Sequence, residues 1–182
     1  MTSWNTTGGI HEIPLAGMSG RLMLCGKHFI GPNVQVALEL LRDPTVVCLV
    51  QRHELEHRYD EYIEWLENNV GSGAIWFPIP DLDAPSLKDG INLCRMIHSG
   101  VCSGGDYIVH CAAGIGRSGT IAAAVLMLNG LSFDESVIHV RTHRPMAGPE
   151  TGKQTDFLRA LQDKLSDLLP HHPNSSTQAT HD

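Results

Sequence analysis

Residues 109–120 read Val-His-Cys-Ala-Ala-Gly-Ile-Gly-Arg-Ser-Gly-Thr, and they join an apolar strand to an apolar helix through a glycine-rich turn. A thiol at Cys111 and a guanidinium at Arg117 lie at the two ends of this turn. Backbone N–H groups in such a turn and at a helix N-terminus bind anions, and a planar guanidinium matches two oxygens of a phosphoryl group. The stretch therefore predicts a phosphate site that holds a nucleophile.

Each residue type in the turn suits one part of that chemistry. His110, Arg117 and the positive end of the following helix favour the thiolate of Cys111, which makes it a nucleophile. Ser118 places a hydroxyl where it can donate to the sulfur when phosphocysteine breaks down. Glycines allow positive φ and close approach of the backbone. The residues expected to bind phosphate, chiefly through N–H groups, are Ala112, Ala113, Gly114, Ile115 and Gly116, with Arg117 binding it bidentately.

The turn also allows two other interpretations. Residues 114–119 also fit the dinucleotide-binding pattern G-x-G-x-x-G, which opens a βαβ unit and needs an acidic residue about twenty positions on, at the end of a strand. Here Asp134 and Glu135 begin a predicted helix instead, and the turn lies two thirds of the way along the chain. A buried structural cysteine is the second alternative. A neighbouring arginine makes that burial costly without a function.

A second chemical signal lies in residues 74–85, which read Ala-Ile-Trp-Phe-Pro-Ile-Pro-Asp-Leu-Asp-Ala-Pro. They predict a short strand that runs into a proline-bounded loop. Phosphoryl transfer to sulfur leaves an oxyanion, which a carboxylic acid must protonate before it activates water in a second step. Asp81 and Asp83 are the candidates. Asp83 also fits a residue that only stabilises the turn through its side chain.

The motif H-C-x-x-G-x-x-R-S, from His110 to Ser118, resembles the signature of cysteine-dependent phosphatases of the tyrosine and dual-specificity superfamily. This resemblance implies a metal-independent hydrolase that needs no cofactor and forms a phosphocysteine intermediate. Pro-Ile-x-Asp-x-x-x-Pro resembles the general-acid loop of the dual-specificity group, and it selects Asp81 as the acid and later base. His110 is then expected to orient the thiolate and support it electrostatically.

The resemblance extends over most of residues 21–165. Arg52-His-Glu-Leu55, with Tyr59, looks like a stretch of the kinase-associated phosphatase, and residues 140–145 resemble the segment before the family's last helix. Gln154 stands where the family has a glutamine that helps to place the hydrolytic water. A glutamine on the first turn of an amphipathic helix is as often simply solvated, so both interpretations stay open.

The substrate class follows from what the chain lacks. Residues 1–60 contain nothing like the recognition loop that deepens the pocket of tyrosine-only members, so the resemblance implies phosphotyrosine and phosphoserine or phosphothreonine on a phosphorylated protein. Ala112, Ala113 and Ile115 carry no charge, which disfavours phosphoinositides without removing them as an alternative. A phosphoprotein-binding pseudophosphatase is another alternative. Arsenate reduction or sulfur transfer needs partner cysteines, and Cys94 and Cys102 leave a regulatory disulfide open.

Length, charge and cysteine spacing indicate the number of domains, the partners and the compartment to expect. The 182 residues suffice for one domain, and the net charge of −7 disfavours nucleic acid as a partner. No signal peptide and no membrane-spanning run is visible, and the spacing of the cysteines suits neither a disulfide framework nor a zinc site. We therefore expect a cytoplasmic protein without a metal. The oligomeric state is not predicted.

Short β-rich runs alternate with helical periods along the chain. This alternation predicts an α/β fold, in which helices flank a central, mostly parallel sheet of four to five strands. Strands are expected near 21–25, 45–50, 74–78 and 106–110, and helices near 33–42, 54–69, 86–100 and 117–129. The predicted organisation is a flexible N-terminal segment over 1–20, a phosphatase domain over 21–169 and a disordered polar tail over 170–182.

Overall fold

The structure, a computed structural model, describes residues 9–41 and 43–168. Within these ranges a five-stranded sheet has the order β1-β2-β5-β3-β4, and every neighbouring pair is parallel except β1 with β2. The predicted α/β fold with a mostly parallel central sheet is confirmed. The strands are β1 (Ile10–Glu12), β2 (Leu22–Gly26), β3 (Thr45–Cys48), β4 (Ala74–Trp76) and β5 (Tyr107–Cys111).

Helices connect and cover the strands. Two of the predicted helix starts are capped as their sequences indicate, because Ser86 accepts from the N–H of Asp89 and Ser132 forms a capping box with Glu135. The helices are α1 (Lys27–Ile30), α2 (Val34–Glu39), α3 (Asp60–Asn69), α4 (Leu87–Cys102), α5 (Gly116–Leu128), α6 (Phe133–His143) and α7 (Gly152–Leu168).

The sheet separates two apolar clusters, and the middle strand β5 contributes to both. Helix α5 is buried from Gly116 to Met127, in agreement with the prediction from its run of alanine and aliphatic residues. The cluster around α5 contains Cys111, whereas the cluster on the other face contains Cys25 and Cys48. Because α5 is packed on all sides, its N-terminus has a fixed position behind the loop that follows β5.

The second helical segment differs from its prediction. The sequence predicts one helix over 54–69, whereas the structure has a short 3-10 helix at Arg52–Glu54, a turn, and then α3 from Asp60. Glu54 accepts from the backbone N–H of Gln51, and His57 has φ +65°, which no right-handed helix contains. Glu54 is therefore held in a short 3-10 helix rather than in an α-helix.

The N-terminal boundary also differs from the predicted one. The prediction assigns residues 1–20 to a flexible segment, but β1 pairs with β2 and Ile13 is fully buried in the core. Ile13 and Leu15, which are buried, and Ile10, which is partly buried, supply the apolar surface that attaches this segment. Residues 1–8 and the predicted tail over 170–182 lie outside the described residues. Among the helices that the structure describes, none combines the length and apolar character that a membrane crossing requires.

Candidate active site

The candidate site lies at the carboxyl ends of the parallel strands. Cys111 is the last residue of β5, opposite Gly26 of β2, and the loop that follows leads directly into α5. Sites in parallel sheets are found at this edge because the loops after neighbouring strands converge there. The structure therefore brings the thiol, the glycine-rich turn and a helix N-terminus together, as the motif predicts.

The carbonyl groups of the loop are bonded on its outer side. The Ala112 carbonyl accepts from the backbone N–H of Lys27 at 3.0 Å, and the Ile115 carbonyl accepts from Gly148 at 3.2 Å. The carbonyls of Ala113 and Gly114 accept from the guanidinium of Arg144. Because the C=O and N–H of a peptide unit point in opposite directions, this pattern leaves the loop N–H groups to face the interior of the turn.

Arg144 is a residue of the site that sequence reasoning did not select. Its side chain is fully buried and also donates to His11 Nδ1 at 2.7 Å and to the carbonyls of Gly9 and Leu24. In the sequence, Arg144 lies within residues 140–145, a segment that resembles the family. That resemblance assigned Arg144 no role. A single buried guanidinium therefore fixes two peptide units of the loop.

The glycines of the turn have different functions. Gly114 has φ +72°, and a Cβ there would lie 2.3 Å from the carbonyl oxygen of Cys25, so only glycine fits. Gly119 lies in α5 without a positive φ, and a Cβ on it would lie 2.2 Å from the nitrogen of Gly148. The predicted positive φ is thus confirmed at Gly114, while Gly119 serves close packing.

The thiol of Cys111 is almost completely enclosed. The residue is 3% exposed, and its sulfur lies 3.3 Å from the hydroxyl of Ser118, which is itself fully buried. A hydroxyl at this distance can donate to a sulfur anion. The structure thus brings Ser118 to the atom for which the sequence predicted it.

His110 differs from the expectation that it supports the thiolate with positive charge. Complete burial lowers the pKa of His110 to about 4, the nearby backbone of Cys111 opposes that shift, and the charge of Arg117 adds to it. The imidazole is consequently neutral at pH 7. Its Nε2 lies 2.6 Å from the hydroxyl of Tyr62, a buried residue of α3. Burial thus keeps the imidazole of His110 neutral, and the contact with Tyr62 fixes its orientation.

Arg117 is held by several acceptors. Its Nη1 donates to Glu54 Oε1 at 2.7 Å and to the Ile79 carbonyl at 2.8 Å, and its Nη2 donates to Glu54 Oε2 at 2.9 Å. Nη2 also lies 3.0 Å from Asp81 Oδ1. Three N–H groups of this guanidinium therefore donate hydrogen bonds, and Asp81 lies within ion-pair distance of Nη2.

Glu54 is a second residue that sequence reasoning did not select. Partial burial raises the pKa of Glu54, but the bonds from Arg117 and from the Gln51 N–H, together with Lys27, outweigh it and hold that pKa below its usual range. Glu54 is therefore an anion that sets the direction of the Arg117 side chain. In the sequence, Glu54 belongs to the Arg-His-Glu-Leu stretch that resembles the family. Its contact with Arg117 depends on the fold, so the sequence alone assigned it no role.

The two aspartates of the 78–85 loop have different surroundings. The Asp81 side chain is 67% exposed and reaches Arg117, whereas Asp83 Oδ1 accepts from the N–H of Ala84 at 2.9 Å and Asp83 Oδ2 accepts from Lys153 Nζ at 3.0 Å. The bond from Lys153 and the N–H of Ala84 hold the pKa of Asp83 below its usual range. The structure thus brings Asp81 to the catalytic loop and engages Asp83 in the turn.

Gln154 is buried rather than solvated, so the solvated alternative is wrong. Its Oε1 accepts from the N–H of Glu150 at 2.8 Å and from Thr120 at 3.4 Å, and its Nε2 donates to the Asp83 carbonyl at 3.2 Å. The side chain thereby links the start of α7 to α5 and to the loop that carries Asp81. Within residues 9–41 and 43–168, no group of three or more His, Cys, Asp or Glu side chains suits a metal ion.

Taken together, the fold and the loop define the class of cysteine phosphatases, and comparison with known proteins agrees. The family model for the DSP-PTPase phosphatase of polymorphic toxin systems matches residues 27–131, more than half of the chain. The chain belongs to this cysteine-dependent, dual-specificity phosphatase family.

Three relatives illustrate the match. Dual specificity protein phosphatase 1 of Arabidopsis thaliana is 43% identical over 61 residues, which cover 33% of this chain and 29% of that protein. The crystal structure of Tk-PTP in its active form is 32% identical, with a TM-score of 0.63, and covers 84% of this chain and 97% of that one. Kinase associated phosphatase, at 19% identity, has the same fold with a TM-score of 0.71 and covers 91% of this chain and 99% of that one. The chain thus spans less than a third of the curated relative and nearly the whole of the two solved ones.

Proposed function

We propose that this chain hydrolyses phosphomonoesters of protein side chains through a phosphocysteine intermediate. The observation that carries the proposal is that the four loop carbonyls over residues 112–115 accept hydrogen bonds from outside the loop, a pattern that directs the loop N–H groups towards the sulfur. Fixed N–H dipoles and a guanidinium stabilise the charge on the equatorial oxygens during transfer without having to reorganise.

In the first step, the sulfur of Cys111 attacks phosphorus while the bond from phosphorus to the side-chain oxygen breaks. The departing oxygen takes a proton from Asp81. Asp81 Oδ1 lies 3.0 Å from Arg117 Nη2, so a phosphoryl group that binds through Nε and Nη2 would displace the Asp81 carboxylate from this nitrogen. Once displaced from the guanidinium, the Asp81 carboxylate would take up a proton from solvent and, as the neutral acid, deliver it to the leaving oxygen.

In the second step, water attacks phosphorus and the bond from sulfur to phosphorus breaks. Asp81, now a carboxylate, accepts the proton of the water, and Ser118 donates to the departing sulfur, which lies 3.3 Å away. Neutral His110 orients the strand end through Tyr62 rather than carrying charge. The bonds of Gln154 to Thr120 and Asp83 support a role in positioning the acid loop. To position the hydrolytic water, the amide of Gln154 would have to break these hydrogen bonds and bind the water instead.

A phosphorylated protein is the substrate class that the residues support best. The loop side chains of Ala112, Ala113 and Ile115 carry no charge for the additional phosphates of an inositol ring, and relatives of this chain are named dual specificity phosphatases. All five cysteines are free, which supports a reducing compartment such as the cytoplasm. We infer that the catalytic unit comprises residues 21–169 together with the strand β1 that pairs with it.

The test is turnover of para-nitrophenyl phosphate, followed by a panel of phosphotyrosine, phosphoserine and phosphothreonine peptides and phosphoinositides. Cys111→Ser should abolish turnover, while the matched Cys102→Ser, at an exposed cysteine on α4, should keep it. A chelator should change nothing. Turnover by Cys111→Ser would contradict the mechanism, peptide binding without turnover by the unaltered chain would indicate a pseudophosphatase, and a preference for phosphoinositides would replace the substrate class.

A further inference from the structure

Three basic side chains beside the catalytic loop take no part in the proposed chemistry. We call Lys27, His28 and Arg58 the basic rim. Lys27 connects it to the site, because its backbone N–H donates to the Ala112 carbonyl at 3.0 Å and its Nζ donates to the Glu54 carbonyl at 2.7 Å. Glu54 in turn holds Arg117. The ammonium group therefore lies next to the residues that bind the scissile phosphate.

The other two members of the rim share one rigid support. His28 Nδ1 lies 2.5 Å from the hydroxyl of Tyr59, and the Arg58 guanidinium carbon lies 5.5 Å from the centre of the Tyr59 ring. Tyr59 is buried, so its ring fixes His28 and Arg58 relative to the sheet. The rim is thus held by β2–α1 on one side and by the turn before α3 on the other.

The two cations of the rim, Lys27 and Arg58, form no ion pair within the described part of the chain, although Lys27 is close enough to Glu54 to lower its pKa. Neither Lys27 nor Arg58 has a carboxylate within ion-pair distance there, whereas the carboxylates of the same turn have other partners. Glu54 pairs with Arg117 and Glu56 with Arg52. Partial burial, and after it the charges of Arg58 and Lys27, lower the pKa of His28, so this side chain contributes a neutral imidazole and the two charges of the rim are those of Lys27 and Arg58. In a chain of net charge −7, this local concentration is unusual.

We propose that the basic rim is a second anion subsite, which binds an acidic group placed next to the phosphorylated residue of a peptide substrate. The ligand chemistry is a carboxylate or a second phosphate. Lys27 Nζ keeps two further N–H groups after its bond to Glu54, and the guanidinium of Arg58 offers a planar fork. This inference rests on the proposed function of the catalytic pocket, and it adds a preference for acidic phosphopeptides.

A peptide fits the rim better than an anionic membrane does. Membrane surfaces attract clusters of four to eight basic residues, and an overall negative chain is repelled by them. The rim has two cations and one imidazole beside a pocket, which suits one or two acidic groups a few residues from the scissile phosphate. Acidic vesicles are therefore expected to leave peptide turnover unchanged.

The experiment compares kcat/KM for four phosphotyrosine peptides that differ beside the phosphotyrosine: alanines, glutamates on its N-terminal side, glutamates on its C-terminal side, or a second phosphotyrosine. We expect the best acidic peptide to exceed the alanine peptide by about 10-fold at low salt. Arg58→Gln should lower that ratio by about 3-fold. The matched Lys164→Gln, which removes one charge from an exposed position on α7, should leave the ratio unchanged.

Parallel measurements separate failure of the subsite from failure of the proposed function. Turnover of para-nitrophenyl phosphate with equal kcat/KM for all four peptides would overturn the subsite and leave the phosphatase assignment standing. If nothing is turned over, the same peptides are measured by fluorescence anisotropy on Cys111→Ser with and without Arg58→Gln. Tighter binding of an acidic peptide that Arg58→Gln weakens would support the subsite, and equal binding would refute it. Acidic preference that Lys164→Gln reduces as much as Arg58→Gln would also refute it.

Discussion

Asp81 Oδ1 lies 3.0 Å from Arg117 Nη2, so the proposed general acid is paired with the guanidinium that the phosphoryl group must use. The same guanidinium is held on its other side by both carboxylate oxygens of Glu54. Substrate and acid are therefore expected to compete for the same guanidinium nitrogen. Binding of an oxyanion to the guanidinium is expected to break this pair.

The first prediction tests this competition. Asp81→Ala should bind inorganic phosphate about 2- to 5-fold more tightly than the unaltered chain, because the substitution removes both a competing acceptor and a like charge. At the same time kcat should fall by about two to four orders of magnitude. The measurement is the inhibition constant of phosphate.

Asp83→Ala is the matched control for that experiment. It removes one carboxylate from the same loop, but this carboxylate binds Lys153 and the N–H of Ala84 rather than Arg117. Its phosphate affinity should stay within about 2-fold of the unaltered value. Phosphate binding to Asp81→Ala that is no tighter than to Asp83→Ala would show that the acid does not compete.

The second prediction concerns Glu54. The pKa of Glu54 is held below its usual range in the folded chain, so its contribution to stability is present above the unfolded pKa of about 4.3 and is lost as the pH falls through the folded value. Glu54→Gln should therefore unfold at a lower temperature than the unaltered chain at pH 7. The difference should shrink steadily below about pH 4. A gap in Tm that stays constant across this range would contradict the assigned charge.

The third prediction concerns His110. Its folded pKa of about 4 lies below the ordinary value of 6.5, so the unfolded chain binds more protons between these two values. His110 should therefore destabilise the fold as the pH falls from 6.5 towards 4, by at most about 3 kcal/mol. His110→Gln should flatten this part of the urea-unfolding profile. Exposed His53 provides the control, since His53→Gln should leave the slope unchanged.

The fourth prediction concerns Arg144. Arg144→Lys should lower the free energy of unfolding by about 2–4 kcal/mol, because an ammonium group cannot reach the separate carbonyls of Ala113 and Gly114 that the guanidinium binds. Phosphate affinity should fall as well, since the loop carbonyls would lose their outer partners. Arg141→Lys, at an exposed position on the same helix, should change neither quantity. Equal effects of the two substitutions would contradict the role of Arg144.

Much of the fold could be predicted because the relevant signals are local. Alternating β-rich and helical periods indicated the parallel sheet, and the apolar run after the glycine-rich turn indicated the buried helix α5. Cys111 and Arg117 are part of one continuous motif, so their closeness follows from a single turn. The acid at Asp81 was predictable from its proline-bounded loop and from the family resemblance.

The remaining residues of the site were not predictable, because their partners are distant in sequence. Glu54 reaches Arg117 across 63 positions, and Arg144 reaches the Gly114 carbonyl across 30. The neutral state of His110 depends on burial, which the motif alone does not report. The sequence predicted electrostatic support from His110 because it showed the residue type without its surroundings.

The most direct test of the central claim is detection of the covalent intermediate. Ser118→Ala removes the hydroxyl that lies 3.3 Å from the Cys111 sulfur and should slow the second step more than the first. When this variant is acid-quenched during turnover of para-nitrophenyl phosphate, mass spectrometry should find one phosphoryl group on the peptide that contains Cys111. A burst of nitrophenol with no phosphoryl group on Cys111, or with one on another residue, would contradict the account.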